Sequence, residues 1–139
     1  MIKILFLCHG NICRSPMAEF IMKDLVNKAG RTDEFVIDSK ALTTEELGND
    51  MYPQAKLCLD AHSVPYTKRQ ATLFKKVDYD RFDHIFIMNK ENKRLIDHIV
   101  QGDKIKFLNG EIADPWYTGD FETSHSQIKE GCERILQAI

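Results

Sequence analysis

The sequence predicts an α/β protein built on a parallel sheet with helices over both faces. Short apolar runs typical of buried strands alternate along the chain with segments of helical periodicity. No repeat, low-complexity stretch or linker-like segment divides the chain. Parallel strands need right-handed helical crossovers, which distribute the helices to both sides of the sheet. We therefore expect a single domain spanning residues 1–139.

The first half of the chain supplies two strands and two helices. Ile2 to Leu7 is predicted to form a buried strand because its interior is an unbroken apolar run. Pro16 to Lys28 is predicted to be a helix, since apolar side chains recur at helical spacing and Gly30 provides a stop. A short strand at Phe35 to Ser39 and a helix at Pro53 to Ala61 follow.

The second half repeats the alternation. We expect a helical turn at Val77 to Arg81, a buried strand at His84 to Met88, a helix at Asn92 to Val100, a strand at Ile105 to Leu108 and a closing helix at Phe121 to Ile139. Ligands of open parallel sheets bind beyond the carboxyl ends of the strands. Functional residues are therefore expected in the loops that follow strands.

Composition excludes several classes of protein. A net charge of −2 and 43% hydrophobic residues indicate an ordinary globular domain without a nucleic-acid or membrane footprint. The apolar run Ile4 to Leu7 is too short for a signal-peptide core or a membrane span. The sequence thus predicts neither a nucleic-acid nor a membrane partner.

The cysteines and histidines show no metal-ligand spacing. Cysteines at positions 8, 13, 58 and 132 match neither a disulfide framework nor a zinc motif in a chain of this size. We expect a reducing, cytoplasmic setting, with no metal and no cofactor. Four histidines outside the first loop are expected to be isolated surface or packing residues: His62, His84, His98 and His125.

One loop carries the strongest chemical signal in the sequence. It lies between the first predicted strand and the following helix, and reads Cys8-His9-Gly10-Asn11-Ile12-Cys13-Arg14-Ser15. A strand that turns tightly into a helix N-terminus directs backbone N–H groups and the positive helix dipole at one point, which suits a phosphate-sized anion. A cysteine nucleophile and a guanidinium that grips two phosphate oxygens would then share this loop.

The small residues of the loop support the same interpretation. Gly10 and Asn11 tolerate the positive φ that a loop wrapped around an anion needs. Ser15 places a hydroxyl near the sulfur, and Pro16 suits the first turn of a helix.

A second motif follows the fourth predicted strand. In Asp114-Pro115-Trp116-Tyr117 the proline cannot extend a strand, so Asp114 should be presented from a loop. If that loop also leaves a carboxyl strand end, Asp114 faces Cys8 across the anion site. Trp116 and Tyr117 then offer flat walls to a ring-shaped leaving group.

Together these motifs resemble the low-molecular-weight protein tyrosine phosphatases. The resemblance covers essentially the whole chain and includes, in order, Cys8 to Ser15, Pro16-Met17-Ala18-Glu19, Asp38-Ser39, Gly48, Asp114 to Tyr117 and Phe121-Glu122. It implies a flavodoxin-like or Rossmann-like sheet in strand order 2-1-3-4. It also implies hydrolysis of phosphotyrosine proteins or peptides, and of small aryl phosphates, through a cysteinyl-phosphate that yields inorganic phosphate.

The resemblance assigns three catalytic residues. Cys8 is similar to the nucleophile that attacks phosphorus, and Arg14 to the residue that binds the phosphate bidentately into the transition state. Asp114 resembles the general acid that protonates the leaving phenolate and then acts as the base that activates water.

The resemblance also assigns binding roles. His9, Gly10, Asn11, Ile12, Cys13 and Ser15 would complete the phosphate loop, with Asn11 holding its shape and Ser15 stabilising the thiolate, while Trp116 and Tyr117 would form the entrance walls. Cys13 matches the second loop cysteine, which in this family forms a reversible disulfide with Cys8. The family implies no cofactor and a monomer or a weak dimer.

Three positions depart from the family pattern. Glu45 stands where an aromatic residue is frequent, and Asn89 where an aspartate is usual. The stretch Arg69-Gln70-Ala71-Thr72 replaces a usual His-x-Ala-Arg. We expect the first change to place an acidic wall at the pocket and the other two to alter the support behind the loop. His9, at the variable loop position, would act as a cation near the substrate below neutral pH.

Three alternatives remain open at the level of sequence. Related arsenate reductases need further cysteines after the third strand, where this chain has none. Related bacterial arginine phosphatases carry a threonine at the position of Ile12 and lack the paired aromatics. A catalytically silent phosphate-binding or partner-binding module is the third, and nucleophile, arginine and acid all weigh against it.

Overall fold

The computed structural model describes all residues, 1–139, and contains one four-stranded sheet. Its strands are β1 (Ile2–Cys8), β2 (Phe35–Ala41), β3 (His84–Ile87) and β4 (Ile105–Phe107). They are parallel throughout and lie in the order β2-β1-β3-β4, which confirms the predicted sheet.

Helices fill the connections between the strands. They are α1 (Arg14–Lys28), α2 (Pro53–Ala61), α3 (Lys76–Arg81), α4 (Lys90–Asp97), α5 (Pro115–Thr118) and α6 (Phe121–Ala138), with a single 3-10 turn at Thr32–Glu34. The α2 bounds are those predicted. Helix α4 begins two residues before the predicted start because the Asn89 side chain accepts a hydrogen bond from the Asn92 backbone N–H at 3.0 Å and caps it.

The alternation of β1 divides the core between the two faces of the sheet. Ile4 and Phe6 pack in the larger cluster, which also contains buried side chains of α1, α2 and α6. Leu5 and Leu7 point the other way, into a cluster that includes Ile96 of α4. Helices therefore cover both faces, and the strand that precedes the candidate loop is buried on both sides.

The carboxyl end of the sheet collects the predicted functional loops. Cys8 is the last residue of β1 and pairs with Ala41 at the end of β2. The chain after β4 returns to the same edge, where the Ile112 N–H donates to the Met88 carbonyl at 2.9 Å. Asp114 follows two residues later. None of the helices combines the length and apolar composition that crossing a membrane requires.

Candidate active site

The Cys8–Ser15 loop passes directly from β1 into α1. Cys13 is the N-cap of α1, and its side chain caps no backbone group. The first turn also carries no acidic residue. No capping side chain therefore occupies the backbone N–H groups at this end of the helix. These N–H groups, together with the positive end of the helix dipole, lie beside Cys8.

Cys8 lies at the floor of the loop, 3% exposed. Its Sγ is 3.0 Å from the Ser15 Oγ. The Ser15 oxygen accepts a hydrogen bond from the Asn11 Nδ2 at 2.7 Å, which leaves the hydroxyl proton free for donation to the sulfur. The Ser15 hydroxyl is therefore placed to donate to the sulfur when Cys8 acts as nucleophile or leaving group.

Asn11 holds the loop in shape with every polar atom of its side chain. Its φ of 60° is left-handed. Its Nδ2 donates to Ser15 and, at 3.0 Å, to the Ser39 Oγ. Its Oδ1 accepts from the Arg69 guanidinium and, at 3.3 Å, from the Thr72 N–H. A fully satisfied buried amide of this kind fixes the loop backbone before any ligand binds.

A second layer extends behind Asn11. The Ser39 hydroxyl donates to the Glu19 Oε1 at 2.6 Å, and Lys23 donates to the other oxygen of that carboxylate at 2.6 Å. Ser39 and Glu19 are buried. The loop is therefore tied to β2 and α1 at once.

Gly10 differs from the sequence expectation. It is not among the residues with positive φ, whereas Asn11 is. A Cβ built on Gly10 would come 3.2 Å from the Glu46 Cγ. The glycine is therefore used for close approach to the neighbouring loop rather than for a left-handed backbone.

Arg14 is 2% exposed and occupies the first position of α1. Its Nη1 donates to the Ile112 carbonyl at 2.9 Å, and its Nη2 lies 3.4 Å from the Asp114 Oδ2. Its Nε is buried and has no hydrogen-bond acceptor within the protein. A buried guanidinium with one unused donor, beside an anion-binding loop, is suited to an incoming phosphate oxygen.

Asp114 is held by the start of α5. Its Oδ1 accepts from the Trp116 N–H at 3.0 Å, which makes Asp114 the N-cap of this one-turn helix. Pro115 occupies the first helical position, and Gly119 ends the helix at φ 72°. The sequence predicted only a loop here; the Asp-Pro pair and the glycine are the helix start and stop signals that it missed. The Asp114 Oδ2 is not used by the cap: it accepts from the Arg14 Nη2 at 3.4 Å, and Asp114 lines the cavity.

Two exposed aromatic residues stand at the entrance. Trp116 is 48% exposed and Tyr117 is 81% exposed. The Tyr52 ring supports Trp116 at a centroid distance of 4.7 Å, and the Tyr52 N–H donates to the Ile12 carbonyl at 2.8 Å. Tyr52 was not predicted from sequence, because its role depends on a contact across 64 residues that no local pattern signals.

These residues enclose one cavity of about 130 Å³ at the carboxyl edge of the sheet. Its lining contains most of the predicted site residues: Cys8, His9, Gly10, Ile12, Cys13, Arg14, Asp114, Trp116 and Tyr117. Asn11 and Ser15 lie behind the lining, with both side chains fully buried. Glu45 and Glu46 complete the wall, and Glu46 was not predicted.

His9 is not a free cation at the rim. Its Nε2 contacts the Glu45 Oε2 at 2.7 Å, and its Nδ1 lies 3.3 Å from the Glu91 Oε1, without hydrogen-bond geometry. Two carboxylates therefore flank the imidazole ring. Glu45 lines the cavity as expected, and its carboxylate is in contact with His9.

Cys13 is chemically distinct from Cys8. It is 4% exposed, and burial raises the pKa of its thiol, with the charges of Cys8 and Asp114 acting in the same direction. The Cys13 thiol therefore ionises less readily than an ordinary thiol, so Cys8 rather than Cys13 is suited to attack phosphorus.

Two of the departures have structural explanations. Arg69 supports Asn11, and its backbone N–H donates to the Asp50 Oδ1 at 3.2 Å. Burial lowers the pKa of the Arg69 guanidinium, while the nearby charges of Glu19 and Cys8 counteract that effect. Asn89 is the cap of α4 and does not contact the loop residues.

The expectation of isolated histidines is wrong for two of the four. His62 and His125 stack with ring centroids 3.7 Å apart, and the His62 Nε2 contacts the Glu122 Oε2 at 2.6 Å. The contact joins the end of α2 to the start of α6, so 63 residues of sequence separate the two rings. Spacing arguments do not detect such a pair.

The site as a whole defines a class of protein: a phosphatase that uses a cysteine in an anion-binding loop, with an arginine and a carboxylate beside it. The chain belongs to the family described as low molecular weight phosphotyrosine protein phosphatase, whose model matches residues 3–139. Membership makes it a hydrolase that acts on phosphoproteins.

Individual relatives span the whole chain. A Bacillus subtilis protein described as low molecular weight protein-tyrosine-phosphatase YfkJ is 34% identical, with 100% of this chain and 96% of the relative covered. The low molecular weight phosphotyrosine protein phosphatase of Sus scrofa is 32% identical, with 98% and 94% covered.

Solved structures share the fold. The crystal structure of YfkJ from Bacillus subtilis superposes with a TM-score of 0.96 at 34% identity, covering 100% of this chain and 94% of the other. A structure described as a drosophila arginine phosphatase gives a TM-score of 0.87 at 30% identity, covering 99% and 97%.

Proposed function

We propose that this protein hydrolyses phosphotyrosine in phosphoproteins, and small aryl phosphates, through a cysteinyl-phosphate on Cys8. The observation that carries the proposal is that Cys8, Arg14 and Asp114 face one cavity whose entrance is formed by Trp116 and Tyr117. The three groups supply a nucleophile, an anion clamp and an acid, so the proposed chemistry needs no metal and no cofactor.

In the first step the Cys8 thiolate attacks phosphorus from the floor of the loop. The loop amides and the Arg14 guanidinium hold the phosphoryl oxygens and stabilise the charge that they carry in the transition state. Asp114 donates its proton to the departing phenolate oxygen, so tyrosine leaves neutral. The Arg14 Nε, which has no acceptor within the protein, is the donor best placed for a phosphoryl oxygen.

In the second step water attacks the phosphorus of the cysteinyl-phosphate. Asp114, now a carboxylate, accepts the water proton, and the sulfur leaves as a thiolate stabilised by the Ser15 hydroxyl. Inorganic phosphate is the product. His9, Gly10, Asn11, Ile12 and Cys13 complete the loop that binds the phosphoryl group.

The aromatic entrance favours an aryl ester. Trp116 is supported by Tyr52 and presents a flat face over the mouth of the cavity. Ile12 adds an apolar contact where the resemblance to arginine phosphatases would require a threonine. The structural similarity to an arginine phosphatase nevertheless makes phosphoarginine the second substrate to be tested.

The remaining features of the proposal concern the whole chain. We propose that residues 1–139 act as one phosphatase domain, in the cytoplasm, as a monomer or a weak dimer. The net charge of −2 gives no overall excess of positive charge, so we propose no nucleic-acid partner.

A paired turnover assay tests the proposal. A phosphotyrosine peptide and a phosphoarginine peptide are offered to the wild type and to Cys8→Ser, and released phosphate is measured. We expect phosphotyrosine turnover by the wild type, no burst or turnover by the variant, and little reaction with phosphoarginine. Preference for phosphoarginine would reassign the substrate, and turnover by folded Cys8→Ser would exclude the covalent intermediate.

A further inference from the structure

A second cluster of reactive side chains lies away from the phosphatase cavity, where the end of α2 meets the start of α6. Cys58 and His62 are four residues apart and share one face of α2 and its C-terminal cap. Glu122 lies in the first turn of α6. One ligand atom from each of these three residues lies within 4.8 Å of the other two.

The distances suit a small divalent cation. The Cys58 Sγ is 3.8 Å from the Glu122 Oε1, and the His62 Nε2 is 2.6 Å from the Glu122 Oε2. In a tetrahedral zinc site with ordinary Zn–S, Zn–N and Zn–O bonds, ligand atoms lie about 3.3 to 3.6 Å apart. Modest side-chain rotation of His62 and Glu122 at the surface brings the three atoms to that spacing.

We propose that Cys58, His62 and Glu122 form a binding site for a borderline divalent cation such as Zn²⁺. Thiolate, imidazole and carboxylate are the three donor types that zinc combines in proteins. Three protein ligands leave the fourth position to water.

The charges balance on binding. The Cys58 S–H bond breaks, the proton leaves to solvent, and the sulfur forms the bond to the metal. His62 gives up the Nε2 proton of its hydrogen bond to Glu122, keeps a proton on Nδ1, and contributes the Nε2 lone pair as a neutral ring. Thiolate and carboxylate then neutralise the two charges of the cation. Burial raises the pKa of Cys58 to about 11, so displacing this proton is a cost that the metal–sulfur bond must exceed.

A buried histidine packs against the cluster. His125 is 3% exposed, stacks on the His62 ring, and has a buried Nε2 with no hydrogen-bond partner. Buried polar atoms in proteins are normally satisfied. His62 and His125 line a small cavity of about 70 Å³ beside the cluster, in which an ordered water would provide the missing partner.

A bound cation would also stiffen the entrance of the phosphatase cavity. Phe121 precedes Glu122, and its carbonyl oxygen lies 3.6 Å from the Cys58 Sγ. The Phe121 ring stacks with Tyr52 at 6.2 Å, and Tyr52 supports Trp116. The metal would join α2 to α6 directly behind this row of aromatic rings.

Metal titration of the full chain tests the proposal independently of catalysis. All proteins carry Cys8→Ser and Cys13→Ser, so that thiols of the phosphatase cavity bind no metal. Into this parent we introduce Cys58→Ser, His62→Gln or Glu122→Gln. His98→Gln is the matched control, because His98 ends α4, which packs on the face of the sheet opposite to Cys58. Zn²⁺ stoichiometry is measured by equilibrium dialysis, and Co²⁺ absorption reports thiolate coordination.

We expect the parent and His98→Gln to bind one equivalent of Zn²⁺ and to show a thiolate-to-Co²⁺ charge-transfer band. His62→Gln and Glu122→Gln should weaken binding by about tenfold or more, and Cys58→Ser should abolish the band. Circular dichroism in chelator checks that each variant is folded, and we expect His62→Gln and Glu122→Gln to fold because both side chains are exposed. Absence of binding by the parent, or binding undiminished in the folded variants, would overturn the proposal.

Discussion

Asn11 shows how one side chain sets the geometry of the reacting sulfur. Its two amide protons go to Ser15 and Ser39, and its oxygen is satisfied by Arg69 and the Thr72 backbone. Arg69 belongs to the stretch that was expected to alter the support behind the loop, and in the structure it contacts Asn11 directly. The sulfur, the serine and the guanidinium behind them form one polar chain.

Replacing Arg69 tests that support. Arg69→Gln removes the charged donor to Asn11, which is worth about 1.5 to 3 kcal/mol for a hydrogen bond to a charged group. We expect kcat/KM for an aryl phosphate to fall about tenfold or more. Lys68→Gln is the matched control, because Lys68 is the exposed neighbour. Equal kcat/KM values for the two variants would count against a positioning role for Arg69.

Asp114 can be tested as an acid separately from its role as a helix cap. Asp114→Asn retains an oxygen for the Trp116 N–H but has no proton to transfer. We expect a loss of about 10² to 10⁴ in turnover of phenyl phosphate, which has a basic leaving group, and a much smaller loss for 4-nitrophenyl phosphate. Steady-state rates on both esters decide the matter. Equal losses would show that Asp114 is not the acid in the first step.

Oxidation provides a third test at the same scale. Cys8 and Cys13 are free, buried and separated by four loop residues. Peroxide should convert Cys8 to a sulfenic acid, which the Cys13 sulfur then attacks with loss of water to form a disulfide. We expect peptide mapping to find this bridge and dithiothreitol to restore activity. In Cys13→Ser, recovery should fail; full recovery in that variant would exclude Cys13 as the protecting thiol.

Helix α6 carries a buried titratable side chain, His125. His125 is buried beside His62 of α2, and Lys129 lies one turn further along α6. Burial, with His62 and Lys129, lowers the pKa of His125 to about 4, while Glu122 acts in the opposite direction. His62, His125 and Lys129 line a small cavity, which Asp24 and Lys28 of α1 also border. The folded chain therefore keeps this imidazole neutral over a range in which an unfolded chain protonates it.

This difference in protonation predicts a pH dependence of stability. Between pH 6.5 and 4 the unfolded state binds the extra proton, so the free energy of unfolding falls as the pH is lowered through that range. For His125 we expect a loss of about 2 kcal/mol between pH 7.5 and 5. Urea denaturation in chelator measures it. His125→Phe should lack this component and His98→Gln should keep it; identical slopes in all three proteins would contradict the assignment.

At the scale of the molecule, α6 closes one face by lying directly against the chain that leaves β4. A Cβ built on Gly131 would come 2.7 Å from the Leu108 carbonyl oxygen and 2.8 Å from its side chain. The glycine is thus required by close approach, although it is a poor residue for a helix interior. The contact sets the distance between the helix layer and the sheet.

In Gly131→Ala, the gain in helix propensity and the steric clash have opposite effects on stability. Alanine gains about 1 kcal/mol in helix propensity, but the clash with a backbone carbonyl cannot be relieved by side-chain rotation and should cost about 2 to 3 kcal/mol. We expect a net loss of stability in urea denaturation. Ser126→Ala, on the exposed side of α6, shows the effect of propensity without the clash. A gain in both variants would show that the helix shifts at no cost.

The fold was largely predictable from sequence because its strands are buried runs and its helices carry clear periodicity. Parallel topology, four strands and the loop after β1 followed from the alternation of elements. Helix α5 was missed, since a one-turn helix has no periodicity and is defined by Asp114, Pro115 and Gly119 alone. The start of α4 was misplaced because Asn89 acts as its cap.

The site was predictable only where its residues are neighbours in sequence. The Cys8–Ser15 loop and the Asp114–Tyr117 segment are each a continuous stretch of sequence, so their chemistry can be predicted from the residue order alone. Tyr52, Glu46 and the stacking of His62 on His125 arise when distant elements meet. Whether Gly10 serves a positive φ or a close approach also depends on a neighbour, Glu46, 36 positions away.

The pair of carboxylates at the cavity rim has a consequence for chemical probes. Glu45 and Glu46 border the mouth beside His9 and opposite two exposed aromatic rings. An aryl phosphonate bearing an amine on the side away from phosphorus would place its anion in the loop and its ammonium against these carboxylates. Inhibitors of this enzyme are therefore expected to bind more tightly as zwitterions than as simple anions.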